Sequence, residues 1–222
     1  MDKNCPFCGA DTRPGDNYCL NCGQRLLPNT PSISLEKYHE IERTSEVKLE
    51  YSDGRVYAMS GGTSQHSQIA GNMYIALATH LRGKVCRAFN SDIKVLPLGD
   101  ENPSYFPDVT VTCKPEDYSY DSTAIRSPRL IIEVLSPSTV SRDRGEKLRV
   151  YKACPSMDEY VMISTRCQEV EVYRRESANE WKDVLYNADQ HVTLVSIGLT
   201  MSAAEIYAQT DVPTLSSVLS VD

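Results

Sequence analysis

Leu130-Ile131-Ile132-Glu133-Val134-Leu135-Ser136-Pro137-Ser138-Thr139 sets one acid inside an aliphatic run that ends at a proline. A continuous apolar run of this kind reads as a strand covered on both faces of a sheet. An ionised carboxylate in such a strand is costly unless a cation meets it. Two cations are open to Glu133: a metal ion shared with Asp108, or the ammonium of Lys147. Asp108 follows Pro107 and opens an upstream strand, Val109-Thr110-Val111-Thr112. An aspartate there is commonly a turn former, and only its order with Glu133 and Lys147 turns it into a metal-ligand candidate. Lys147 lies one helical turn after Asp143 and one before Tyr151, so the three share a face. An ion pair between Asp143 and Lys147 explains that spacing too, and the two readings are compatible. Acid, acid and lysine together suit metal-assisted phosphodiester hydrolysis. The carboxylates hold a hard divalent ion, and the lysine positions the attacking water or offsets developing negative charge.

Around this pair the chain alternates helical and strand patterns. Residues 35–41 read as a short helix. Residues 47–51 and 55–59 alternate in polarity about Ser52-Asp53-Gly54, a strong hairpin signal. A helix is predicted over 64–81, with Ile69, Met73 and Leu77 on one face. Strands are predicted over 85–89, 93–96, 109–112 and 130–134, and the lysine helix over 142–152. Further strands fit 160–163, 169–174 and 181–186, with a closing helix over 203–207. Pro137 ends the strand of Glu133, and Ser138 or Thr139 is suited to cap the helix that follows.

The N-terminus is a different kind of sequence. Cys5-Pro6-Phe7-Cys8 and Cys19-Leu20-Asn21-Cys22 are each closed by glycine, and two such turns complete a tetrahedron of thiolates around one Zn²⁺. A pair of redox motifs is the competing explanation. A closed four-thiolate site leaves no open coordination position, so this module is structural or an adaptor. Pro28-Asn29-Thr30-Pro31 reads as a linker. The expected organisation is a zinc ribbon over 1–27, a linker over 28–34, the main domain over 35–208 and a tail over 209–222. Cys86, Cys113, Cys154 and Cys167 carry no pairing signal and suit reduced thiols. With no signal region at the N-terminus and no membrane-length apolar stretch, a cytoplasmic protein with no membrane partner is expected.

The net charge of −7 argues against a protein that coats nucleic acid indiscriminately. It argues less against a nuclease, whose site is itself acidic. Residues 126–152 carry seven basic residues against three acids, a local +4 beside the proposed site, although a solvated helix face explains the arginines equally well.

The ordered pattern Pro107-Asp108, Glu133-Val134-Leu135-Ser136-Pro137-Ser138-Thr139, Asp143, Lys147, Tyr151, followed by Glu159-Tyr160-Val161-Met162-Ile163-Ser164, resembles the Uma-two family. That family is a restriction-endonuclease-like branch of the PD-(D/E)xK nuclease superfamily. The resemblance runs from about Leu35 to Tyr207 and includes the hairpin around Asp53 and the helix beginning at Gln65. It implies an α/β restriction-endonuclease-like sandwich with a mixed central sheet. It also implies a metal-dependent endonuclease acting on DNA with Mg²⁺ or Mn²⁺. Asp108 and Glu133 would then be the metal ligands and Lys147 a catalytic residue. The superfamily lysine two residues after the acid is absent, since Leu135 stands there, and the family commonly supplies it from the next helix, where Lys147 stands. Glu50 matches a family acid near the site and would be a third catalytic acid there, and a solvent-facing strand acid is its equal alternative. His66 is suited either to a phosphate contact or to the helix surface. A homodimer is a common arrangement among cutters of duplex DNA, and no segment marks a face for one. The second functional class is a binding module of the same fold that holds nucleic acid or protein without turnover.

Overall fold

Asp53 and Gly54 have φ of 48° and 75°, the two positive values that a two-residue type I′ hairpin loop requires. They join β1 (Leu49–Ser52) to β2 (Arg55–Ala58), with Ser52 opposite Arg55. A Cβ on Gly54 would also lie 2.0 Å from Ser32 Oγ, so the incoming chain passes over the hairpin only because glycine is there. The computed structural model describes residues 32–215 apart from Ser60, Asp100, Glu101 and Asn179, together with Ala10, Asp11 and Asn21. Cys5, Cys8, Cys19 and Cys22, and with them the expected zinc ribbon, lie outside the described residues.

Helix α1 (Leu35–Thr44) begins at Ser34, whose hydroxyl accepts the Lys37 N–H. Its Tyr38 stacks on Tyr51 of β1 at 4.8 Å between ring centroids, in a small core with Leu49. Helix α2 (Ser64–His80) begins at Thr63, whose hydroxyl accepts the His66 N–H, and buries Ile69, Met73 and Leu77 as its periodicity predicts. The remaining strands are β3 (Arg87–Asn90), β4 (Lys94–Val95), β5 (Val109–Thr112), β6 (Ala124–Ile125), β7 (Pro128–Leu135), β8 (Glu159–Ser164), β9 (Glu169–Arg175), β10 (Trp181–Asn187), β11 (His191–Leu194) and β12 (Leu199–Ser202). Six of them form one sheet in the order β10-β9-β8-β7-β5-β3, with β7 and β8 parallel and every other pair antiparallel. The expected mixed central sheet is present.

Strand β7 is buried on both faces. Leu130, Ile132 and Val134 pack with α2, and Ile131 and Leu135 pack with Tyr160 of β8 and with a second layer that holds Tyr151. That second layer is made by α3 (Val140–Arg142), a π-helical turn (Asp143–Lys147) and α4 (Leu148–Ala153). Strand alternation turns Glu133 toward this layer, on the side of Ile131 and Leu135. Thr139 is the residue before the helix, yet neither it nor Ser138 caps it with a side chain, because the Thr139 hydroxyl engages Ser136 instead.

Several details differ from expectation. No element is expected over 191–202, yet β11 and β12 pair there and bury Val192, Leu194 and Met201, strands too short for their alternation to stand out. Cys86 and Cys113 are joined in a disulfide, not reduced. The β3–β5 register sets Arg87 opposite Thr112, and one further step along the ladder brings the two cysteines side by side. Cys154 and Cys167 are free. Residues on either side of 35–208 also make contacts with it. Ile33 donates its N–H to the Gly54 carbonyl, Val212 is buried, and Gln168 donates its N–H to the Pro213 carbonyl. No helix among the described residues is long and apolar enough to cross a membrane. A short closing helix, α5 (Ala203–Ile206), begins with a capping box between Ser202 and Glu205.

Candidate active site

Ladder register brings the first two acids together. Val109 of β5 stands opposite Ile132 of β7, and the same register continued by one residue sets Asp108 opposite Glu133. Directly opposed residues on antiparallel strands have neighbouring side chains. Asp108 Oδ2 accepts the Val134 N–H at 2.7 Å, which locks the carboxylate across the strand end. Glu133 meets the cation its burial demands: Lys147 Nζ donates to Oε1 at 2.8 Å, and the Tyr151 hydroxyl approaches the same oxygen at 3.4 Å.

Lys147 is not on the solvent side of its helix. It is 4% exposed, and its ammonium also stands 3.4 Å from Glu50 Oε1 and 3.4 Å from Asp143 Oδ1. The structure thus brings Glu50, Glu133 and Lys147 into one cluster with Asp143. The solvent-facing reading of Glu50 is overturned, since the residue is 1% exposed and accepts the Phe106 N–H at 2.8 Å. The β1–β2 hairpin carries it there by docking on Ser104 through a bridge at Tyr51.

Sequence reasoning understated His66 and missed Arg142, Glu146 and Tyr105. His66 Nε2 lies 3.3 Å from Asp108 Oδ2, pointing into the site. Gly62 makes room for this, since a Cβ there would sit 2.8 Å from the imidazole Nδ1. Arg142 bonds Glu50 Oε2 through Nη1, and its Nε stands 3.6 Å from Glu146 Oε1. Tyr105 donates its hydroxyl to that same Glu146 oxygen at 2.7 Å. The i,i+4 spacing of Arg142 and Glu146 was visible, but it reads ordinarily as a surface ion pair. Here the whole turn is buried instead, Asp143, Gly145, Glu146 and Lys147 included.

Burial pushes the Glu133 carboxyl well above the usual carboxylate range; Lys147 draws it down, and Asp143, Asp108 and Glu50 push it further up. Burial raises the Asp143 carboxyl as well. For Glu50 burial acts in the same direction, but the charges of Lys147 and Arg142 outweigh it and hold the group below its ordinary value. Burial opposes a charge on Lys147, and the carboxylates of Glu133, Glu50 and Asp143 overcome it, raising the ammonium above its ordinary value. The contact with Asp108 raises the His66 imidazole, against a smaller effect of burial. Carboxylates therefore outnumber the cations Arg142 and Lys147, and the cluster favours additional positive charge.

Among the described residues no three or more His, Cys, Asp or Glu side chains converge as a ready-made metal cage. A Mg²⁺ site does not need one, since one or two carboxylates plus water and a substrate phosphate suffice. Asp108 and Glu133, opposed by ladder register at a strand end with Asp143 and Glu50 nearby, are of the residue type that such a site uses.

Residues 35–204 match the family model Uma2, described as "Putative restriction endonuclease". The chain is 37% identical over 177 residues to "Uncharacterized protein slr1290" of Synechocystis sp., covering 80% of this chain and 92% of that protein. It is 26% identical over 157 residues to "Uncharacterized protein sll1609" of the same organism, covering 70% of this chain and 88% of that one. A solved structure, "a putative nuclease belonging to DUF820" from Anabaena variabilis, aligns with a TM-score of 0.62 at 20% identity, covering 79% of this chain and 97% of its own. At that identity the likeness speaks for the fold, an α/β architecture with a mixed central sheet. The family match runs unbroken from α1 through the hairpin, the acid-bearing strand and the lysine helix to α5, and on it the chain belongs to the Uma2 family.

Proposed function

We propose that this protein is a metal-dependent endonuclease that hydrolyses phosphodiester bonds of DNA. The observation that carries the reading is the buried Lys147 ammonium, bonded to Glu133 at a strand end where Asp108 stands opposite. Family membership points to the same chemistry. Asp108 and Glu133 would hold Mg²⁺ or Mn²⁺. When bound, that ion supplies Lewis-acid polarisation of the phosphodiester and offsets its charge. Lys147 orients the attacking water and stabilises negative charge developing on the phosphate. Glu50 keeps Lys147 in place, and Asp143 and Tyr151 support the ammonium and Glu133. His66 holds Asp108 from the start of α2.

The test is cleavage of plasmid and single-stranded DNA with Mg²⁺ or Mn²⁺, with Glu133→Ala as control. The variant is expected to lose about 100-fold or more in rate. Cleavage that persists unchanged in Glu133→Ala would sink the assignment. One observation favours the binding-module reading instead: three carboxylates already satisfy Lys147 within the protein. DNA retention with no cleavage by the wild type under any divalent ion would select that reading. The four N-terminal cysteines are proposed to hold a structural Zn²⁺ in an accessory ribbon.

A further inference from the structure

Arg142 is the cation of the site that the proposed chemistry leaves without a task. Its Nη1 bonds Glu50 Oε2, while Glu50 Oε1 faces Lys147 and accepts the Phe106 N–H. Glu50 is thus a bracket with one cation on each oxygen. The guanidinium is stacked on Tyr57 of β2, 3.7 Å from its ring centroid, and stands 5.4 Å from the Tyr105 ring. Glu146 faces its Nε at 3.6 Å. Two roles are open to such an arginine: contact with a substrate phosphate, or control of Glu50. The side chain is 14% exposed, and both Nε and Nη2 are buried without a hydrogen-bond partner. A guanidinium closed against an aromatic face does not present its donors to a phosphate, and the ring offsets part of the cost of the unbonded N–H groups.

We propose that Arg142 is a positioning residue: stacked on Tyr57, it holds one oxygen of Glu50 so that the other keeps Lys147 at Glu133. This rests on the reading that Lys147 serves turnover, and it gives the β1–β2 hairpin a task in that turnover. The hairpin contributes both Glu50 and the Tyr57 platform, and so determines where the ammonium of a helix on another element comes to rest. A displacement of Lys147 on the scale of an ångström is enough to cost between about ten- and a hundredfold in rate.

The experiment compares full-length wild type, Tyr57→Phe, Tyr57→Leu, Arg142→Lys and Arg142→Gln. Three measurements are made: kcat and KM for Mg²⁺-dependent DNA cleavage, the urea unfolding midpoint, and the Lys147 side-chain NMR signal in ¹³C-lysine-labelled protein, identified by its loss in Lys147→Arg. Tyr57→Leu is expected to lower kcat about tenfold or more with KM unchanged, to shift the Lys147 signal, and to leave the unfolding midpoint near wild type, while Tyr57→Phe behaves as wild type. Arg142→Lys is expected to recover part of the kcat that Arg142→Gln loses. A raised KM at constant kcat would make Arg142 a substrate contact and overturn the proposal. So would an unmoved Lys147 signal in Tyr57→Leu, or a loss of rate that only follows the loss of folded protein. If the Arg142 variants do not fold, the two Tyr57 variants decide. If the wild type does not cleave DNA, the nuclease reading fails by itself, and the Lys147 signal still tests the positioning.

Discussion

Lys147 is the residue on which the site turns. On sequence alone, Lys147→Ala is expected to abolish cleavage and leave the fold intact. Its burial among Glu133, Glu50 and Asp143 changes the second half of that expectation. Removing the ammonium leaves buried carboxylates facing one another, and Lys147→Ala should cost about 3–5 kcal/mol in urea unfolding at neutral pH. A variant with wild-type stability would mean that the lysine is not held as described. His66 offers a test in pH. Its contact with Asp108 raises the imidazole above its ordinary value of about 6.5. The stability this contributes is complete below the ordinary value and is lost as pH rises through the raised one. Without added divalent metal, wild type should therefore lose more of its urea midpoint than His66→Gln between about pH 6 and pH 9. Parallel pH profiles for the two proteins would contradict the pairing.

At the scale of elements, the hairpin and the lysine helix matter most. The hairpin is short, four residues in each strand, and it depends on its loop for register. Gly54→Ala forces a side chain into positive φ and into Ser32 at once. That should lower stability by roughly 1–3 kcal/mol. Because Glu50 and Tyr57 ride on the same hairpin, the rate of cleavage should fall further than the loss of folded protein explains. Equal losses of rate and folded fraction would separate the hairpin from the site. The lysine helix opens with a π-helical turn in which Asp143, Glu146 and Lys147 are buried together, on the face that their i, i+3 and i+4 spacing already shares.

For the whole molecule, the expectation is a folded domain that stands without its N-terminal module. Among the described residues, three apolar cores are built from residues 33–212. A chain starting at residue 32 should fold with the unfolding midpoint of the full-length protein. The full-length chain should bind one Zn²⁺ through Cys5, Cys8, Cys19 and Cys22. Metal analysis of protein purified without chelator checks this, and absence of zinc would refute it. Comparing cleavage by the two chains then tells whether the ribbon assists substrate binding.

Much of this was legible in the amino-acid sequence because it rests on local physics. The aliphatic run around Glu133 required a doubly covered strand, the Asp53-Gly54 pair required a tight hairpin, and the face of Ile69, Met73 and Leu77 required a packed helix. The need of Glu133 for a cation was also readable, because the cost of a buried charge does not depend on the partner. The choice of partner did depend on the fold. Only the register of β5 against β7 and the docking of the hairpin decided that Lys147 sits between Glu133 and Glu50, with Asp108 across the strand end. Arg142, Glu146 and the disulfide between Cys86 and Cys113 were hidden for the same reason. Each owes its role to a contact between segments far apart in the chain, and such a contact leaves no periodic mark on the sequence.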